Sequence, residues 1–330
     1  MAIRNGKFEG TVAMLQLTEH IGNQIPLIRG SLSASAWKAE SSKLNIIKKE
    51  IGHYKLHKIT ERDVSNWLEG GHVTAQNKTV YWAPKTRNTY LSILRKLFKL
   101  AIKNKLVKAS PLDNLKLLSI TPKEILPFNR EEIGMIMRCK EFNYHYRLLF
   151  LLGIKTGLRI NELIALSWRN INFKKRTLVV ERMRTVGDRK YKVPFNAQSI
   201  RTINLNNEAI KILNKLKVQT DYLKLSGIKV TWRNNFNYNS QAVYFVFYNL
   251  NSNKAFESSR EYGKVFLTPV LKYLNLKHRS PKQIRNTFIV NSLVNKKERS
   301  VLLQELGYSN CEFFNKKFVG WDAEKIVREI

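Results

Sequence analysis

From Ser33 onward the spacing of apolar side chains predicts helices. Trp37, Leu44, Ile47 and Ile51 share one face of a 3.6-residue repeat, and Gly52 ends the run. Thr60-Glu-Arg-Asp63 has the form of an N-cap with an acid three residues on. Val64, Trp67 and Leu68 follow at helical spacing, and Gly70-Gly71 terminates them. The clearest pattern follows Pro84. Tyr90, Leu91, Leu94, Leu97, Phe98 and Ala101 make a buried stripe, while Lys85, Arg87, Arg95, Lys96, Lys99 and Lys103 populate the other side. Pro111 closes the unit, so residues 33–118 are expected to form a bundle of about four helices. In residues 1–32, Gly6, Gly10, Gly22 and Pro26 interrupt short apolar pieces, which predicts an arm or a small strand.

Residues 119–128, with Pro122 and Pro127, have the composition of a linker. Asn129-Arg-Glu-Glu132 then opens a second capped unit, expected to run over 129–330. A helix follows Arg159. Leu178 to Arg182 has strand character, and residues 200–205 look like its antiparallel partner. From Asn207 helical patterning dominates, apart from an Asn-rich aromatic stretch around 231–250. The expected fold is mainly α with a small antiparallel sheet, in two domains.

Charge adds a partner class. The chain carries 58 Lys and Arg against 25 Asp and Glu, a formal net charge of +33. These cations are interleaved with the apolar pattern along the whole length, which describes a folded basic protein rather than a basic tail. Such a field favours a polyanion, with duplex DNA as the first candidate. A basic RNA-associated protein is the alternative; it would bind RNA at least as well as duplex DNA. The two cysteines, Cys139 and Cys311, and six scattered histidines lack metal-ligand spacing, so no metal or cofactor is expected. Nothing resembles a signal peptide or a bilayer-spanning run, which points to the cytoplasm, at the nucleoid, with no membrane partner.

Two segments sharpen this picture. Thr156-Gly-Leu-Arg-Ile-Asn-Glu-Leu163 and Arg285-Asn-Thr-Phe288 resemble the two arginine motifs of tyrosine recombinases, the phage integrases. The similarity of organisation covers residues 35–318. Ile59-Thr-Glu-Arg-Asp-Val64 and Thr86-Arg-Asn-Thr-Tyr-Leu91 resemble the family's helical core-binding domain, and the second part resembles its catalytic domain. The resemblance implies a two-domain clamp around duplex DNA. It also implies that Arg159 and Arg285 are the two arginines that face the scissile phosphate. Charge builds on the non-bridging oxygens as a phosphodiester is attacked, and two planar, permanently charged guanidinium forks stabilise it. The same forks hold a resting phosphate, so they mark phosphate binding whether or not cleavage follows.

The remaining family positions depart from the pattern. Lys282 stands at the first histidine, within Pro281-Lys-Gln-Ile-Arg285. Tyr308 replaces the second, in Leu306-Gly-Tyr308; it is either a weak proton donor or packing. Matching Pro194 and Ser199-Ile-Arg-Thr202 to the family puts Phe195, Asn196 and Ala197 where its general-acid lysine is expected, and Lys190 or Lys192 would substitute after a register shift. The family's nucleophilic tyrosine falls nine or ten residues after the Leu-Gly-His motif, at Lys317 and Phe318, and no tyrosine lies between Tyr308 and Ile330. Ser309 and Cys311 are nearby but have no base beside them in sequence. A tyrosine donated by a partner protomer has no candidate segment here.

The expectation is a pseudo-recombinase, a sequence-specific duplex-DNA-binding protein that selects the attachment or target site of a mobile element without cutting. The alternative is an active recombinase with displaced catalytic residues, which would cleave and rejoin DNA strands. Expected DNA contacts are Lys85, Arg87, Asn88, Arg95, Lys96 and Lys99 in the first domain, and Arg182, Arg184, Lys190, Lys192 and Arg201 in the second. Transposition proteins or a second protomer on the DNA are the expected protein partners. Gly320 to Ile330 either docks on a neighbouring protomer or folds back as a helix.

Overall fold

The computed structural model describes residues 15–32, 34–73, 77–121, 124–185, 190–194, 199–220, 225–232, 237–308, 311–318 and 321. The chain divides into two compact units, Met1–Pro122 and Lys123–Ile330.

The first unit packs the helices Leu17–Gly30, Ala34–Ile51, Glu61–Gly70 and Pro84–Lys103, with a short hairpin pairing His72–Val73 to Thr79–Val80. The expected faces are buried. Leu44, Ile47 and Ile51 meet the Tyr90–Ala101 stripe in one core, and Trp37 packs at its edge. The Thr60 cap is formed: Asp63 N–H donates to Thr60 Oγ1 at 3.2 Å and Thr60 N–H returns a bond to Asp63 Oδ2 at 2.9 Å.

One boundary is corrected. Residues 17–30 are no arm but a helix of this bundle, with Leu17, Ile21 and Ile28 at most 1% exposed. His20 Nε2 lies 3.0 Å from the Leu97 carbonyl, tying it to the longest helix. Pro26 sits inside the helix and removes one backbone donor, at an intrinsic cost of about 3 kcal/mol. The burial of three large aliphatic side chains outweighs it, at about 1.5–3 kcal/mol each. Residues 1–14 lie outside the described residues.

In the second unit the last part of the expected linker is core. Ile125 and Phe128 are buried, and Phe128 N–H donates to Thr287 Oγ1 at 2.9 Å. The Asn129 cap opens the helix Arg130–Arg138, with reciprocal bonds of 2.8 and 3.0 Å to Glu132. The central helix Tyr144–Thr156 is buried on nearly every side and packs against Asn207–Thr220 and Lys282–Val294. A three-stranded antiparallel sheet joins Ile171–Asn172, Thr177–Val180 and Arg201–Asn204, with Leu178 opposite Ile203 and Val180 opposite Arg201. The alternation turns Leu178, Val180 and Ile203 into the core.

A second sheet was not legible in the sequence. Met183–Arg184, Tyr191–Lys192, Ser226–Thr231 and Tyr238–Val243 pair in that order, antiparallel except for the parallel Tyr191–Lys192 and Val230–Thr231 contact. It covers a small core of Ala165, Tyr191, Val230, Val243, Phe245 and Tyr248. Among the described residues the last helices, Arg299–Leu306 and Cys311–Lys317, pack Leu302, Leu306 and Phe314 on Ile289, Val290 and Leu293. The fold is thus mainly helical with small, largely antiparallel sheets. Among the described residues no helix is long and apolar enough to cross a membrane. No cluster of His, Cys, Asp or Glu among them could hold a metal ion.

Candidate phosphate-binding site

Two left-handed helix ends build the floor of the site. Gly157 (φ 63°) ends the helix Tyr144–Thr156, and Gly307 (φ 64°) ends Arg299–Leu306. A Cβ at Gly157 would stand 2.3 Å from the Phe288 ring, so both the turn and the close approach require glycine there. Arg285 projects from the helix Lys282–Val294 between these ends. Its Nη1 donates to the Gly157 carbonyl at 2.8 Å and its Nη2 to the Leu306 carbonyl at 2.7 Å. Helix C-termini carry partial negative charge, so they orient and partly balance the guanidinium. Burial, with Arg159 nearby, brings its pKa down to about 10, which leaves it charged at neutral pH.

Arg159 caps the helix Ile160–Leu163. Its backbone N–H and its Nη1 each donate to Glu162 at 2.8 Å. Glu162 is buried and also accepts both arms of Arg201, at 3.1 and 2.9 Å. Burial alone would raise this carboxyl's pKa. The forked Arg201 bonds and the charges of Arg201, Arg159 and Arg285 outweigh burial and bring it down to about 2. Arg159 keeps a side chain 36% exposed, so its outer face is open to a ligand.

Tyr308 stands between the two family arginines. The Arg285 and Arg159 guanidinium carbons lie 5.1 and 5.8 Å from its ring centroid, and the ring packs edge-on against Phe314 at 5.5 Å. It forms an aromatic wall for both cations. Lys282 is exposed in the first turn of its helix. Of the two residues at the expected nucleophile position, Phe318 is buried against Phe314, whereas Lys317 turns inward and donates to Asn286 Oδ1 at 3.0 Å. Burial, then Lys282 and Arg285, lower the Lys317 pKa to about 8. The structure therefore gathers Arg159, Arg285, Lys282, Tyr308 and Lys317 in one place.

Two other expected DNA contacts, Arg182 and Arg201, are corrected by their burial and partners. Arg182 is 3% exposed and bonds to Ala165 O, Ser167, Asn170, Glu181 and Gln241. Arg201 holds Glu162, the Glu305 carbonyl at 2.6 Å and the Ser199 carbonyl at 3.0 Å. Asn88 clamps the Leu118 backbone in both directions, at 2.8 and 2.9 Å. Arg95 holds the Leu112 and Leu115 carbonyls, and Lys96 pairs with Glu40 at 3.3 Å. Arg182, Arg201, Asn88 and Arg95 thus fasten the scaffold, while the Lys96 side chain stays 41% exposed. Arg87 is partly buried, and its Nε is enclosed without a partner. Lys85 and Lys99 are exposed on the helix Pro84–Lys103. Arg184 donates to the Glu257 carbonyl at 3.1 Å and stacks over Tyr191. Lys190 is exposed beside the short strand that carries Lys192. Phe195, Asn196 and Ala197 lie outside the described residues.

Sequence reasoning gave no role to Glu162 or Asn286. The signal for Glu162 was its place three residues after Arg159, the spacing of a helix cap. Asn286 is visible only once the last helix is seen to fold back.

Two arginines thus converge beside the helix Cys311–Lys317, in a helical unit that carries a small antiparallel sheet. The chain belongs to the phage integrase family, whose sequence profile matches residues 126–316. It is 28% identical to the ICEBs1 integrase of Bacillus subtilis over 193 residues, 56% of this chain and 50% of that protein. It is 25% identical to the putative defective protein IntQ of Escherichia coli over 249 residues, 72% of this chain and 61% of that one. The chain thus spans half to three-fifths of the length of these curated relatives. Among solved structures it resembles the Tn1549 transposon integrase in complex with circular intermediate DNA, with a TM-score of 0.74 at 18% identity over 96% of this chain and 99% of that one. A lambda integrase dimer bound to a core site gives a TM-score of 0.66 at 13% identity over 100% of this chain and 83% of that one.

Proposed function

We propose that this chain binds duplex DNA sequence-specifically as a recombinase does, holds one backbone phosphate between Arg159 and Arg285, and does not cut it. The observation that carries the reading is the pairing of Lys317 and Phe318. The position counted for the nucleophile presents an ammonium to Asn286, and the adjacent ring is locked in the core. A protonated amine has no lone pair with which to attack phosphorus. The first unit serves as the core-binding half, with Lys85 and Lys99 among its phosphate contacts. The biological use is marking a target or attachment site for a mobile element. The likeness to a transposon integrase supports it. Transposition proteins or a second protomer would then meet the protein on DNA.

The test is selection of genomic fragments by the purified protein at near-physiological salt, followed by incubation with a nicked version of the recovered site and denaturation in SDS. A single motif and no SDS-resistant protein–DNA adduct are expected. If the protein neutralises roughly 6–10 phosphates, affinity falls about 10³–10⁵-fold between about 50 and 200 mM salt. An adduct that disappears in Arg159→Ala would establish an active recombinase instead. One observation favours that second reading: Tyr308 is a phenol lying against both arginines. Tyr308→Phe in the same assay decides whether it is the attacking group.

A further inference from the structure

Lys317 has the surroundings of an anion ligand. Its ammonium is half-buried and donates to Asn286 Oδ1 at 3.0 Å. Asn286 turns that oxygen toward the lysine because its own amide nitrogen donates to Gln283 Oε1 at 2.6 Å. Gln283 is fixed in turn by backbone. It accepts from Leu126 N–H at 3.3 Å and donates to the Glu124 carbonyl at 3.2 Å. The polarity of the whole relay is therefore set by main chain at one end and delivers an acceptor to Lys317 at the other.

That acceptor is a neutral amide. Among the described residues no carboxylate pairs with Lys317, and Glu162 is already engaged by Arg159 and Arg201. The charged groups acting on Lys317 are the like charges Lys282 and Arg285. A cation held in such a place costs free energy until an anion arrives. An ammonium offers three donors and a compact charge, which suits a phosphate oxygen.

We infer that Lys317 is a phosphate ligand, which with Arg159, Arg285 and Lys282 clasps one phosphodiester of duplex DNA from the side on which a recombinase would attack it, and that Asn286 is its positioning residue. The inference rests on the DNA-holding reading above. It assigns the former nucleophile position a new task. The substituted side chain tightens the grip on the phosphate that a tyrosine would break.

The experiment compares wild type, Lys317→Met, Lys317→Arg and Asn286→Ala on the selected duplex. Unchanged near-ultraviolet circular dichroism certifies each fold. At pH 7, Lys317→Met is expected to bind about 5–10-fold more weakly, with a salt slope reduced by about one phosphate, while Lys317→Arg stays within about twofold of wild type. The wild-type advantage over Lys317→Met shrinks as pH rises above about 8, where the free ammonium begins to lose its proton. Asn286→Ala keeps part of the affinity but moves the midpoint of that pH profile. A single neutral methylphosphonate is then walked along each strand. One position should weaken wild type and leave Lys317→Met unaffected. Equal affinity of wild type and Lys317→Met, or the same ratio at every methylphosphonate position, would overturn the inference and leave the silent-binder reading standing. A covalent adduct in wild type would overturn that reading instead. The salt and pH comparisons run on any duplex long enough for the protein, so they decide the matter even if selection returns no motif.

Discussion

Two of the buried arginine centres of the second unit, one around Glu162 and one around Arg182, solve the same problem differently. Each of the five N–H donors of Arg182 meets an acceptor: Ala165 O, Ser167 Oγ, Asn170 Oδ1, Glu181 Oε1 and Gln241 Oε1. Nothing is left for a ligand. Around Glu162 two guanidiniums, Arg159 and Arg201, bond one carboxylate and the charge of a third, Arg285, acts on it; Arg159 and Arg285 also face a common aromatic wall. Arg201 makes four hydrogen bonds, whereas Arg159 keeps an open face. Between Arg182 and Arg159 the difference lies in the donors left over, not in charge.

The comparison breaks first, if it is wrong, at Arg201. Arg201→Met leaves Glu162 buried with only Arg159 bonded to it. Removing one partner of a buried pair costs about 3–5 kcal/mol, to be read from urea unfolding of the intact protein. A loss below about 1 kcal/mol would show that Glu162 does not organise the site. The same carboxylate sets an acid limit. Its folded pKa of about 2 lies below the ordinary 4.5, so its stabilisation is present above about 4.5 and is lost as pH falls through about 2. The shift is worth on the order of 3 kcal/mol. Thermal unfolding followed from pH 5 to about pH 2 should show that loss, and Glu162→Gln should flatten the profile.

Arg182→Met sharpens the contrast from the other side. It removes a donor from the buried Ala165 carbonyl, Ser167 and Asn170, although the last two keep their bonds to each other, and costs about 1–3 kcal/mol of stability. DNA affinity at a temperature where the protein stays folded should not change. A drop in affinity would return Arg182 to the interface and undo its reassignment.

The two centres also show what could be seen beforehand. The helices of both units announced themselves through long apolar stripes and through the caps at Thr60 and Asn129, which depend on neighbours in sequence. The helix Leu17–Gly30 did not, because Pro26 and Gly22 are local breakers and only tertiary burial of Leu17, Ile21 and Ile28 overrides them. The second sheet was hidden for a similar reason. Two of its strands are two residues long, and most of the strand Tyr238–Val243 is exposed, so no period-2 pattern marks it. In the site, Arg159 and Arg285 were legible from their motifs. The choice between Lys317 and Phe318 was not, since it depends on which face of the last helix meets Ile289 and Leu293. Equally, no sequence pattern marks Arg182 as a scaffold residue. It is one basic residue in a basic chain, and only its partners show its place.

Arg159→Ala carries the smallest stability change and is the most discriminating variant. Its side chain is just over a third exposed and Glu162 keeps both bonds from Arg201, so solvent screening limits the loss to about 1 kcal/mol or less. Binding should respond far more. A charge-assisted contact to a phosphate contributes about 1.5–3 kcal/mol, so affinity for the selected duplex should fall about 10–100-fold, and the salt slope by about one phosphate. Arg182→Met and Arg159→Ala would then show opposite patterns, stability without affinity and affinity without stability. If Arg159→Ala instead unfolded the protein and left affinity per folded molecule unchanged, its open face would be incidental. The pocket around Glu162 would then be a second scaffold centre like the one around Arg182.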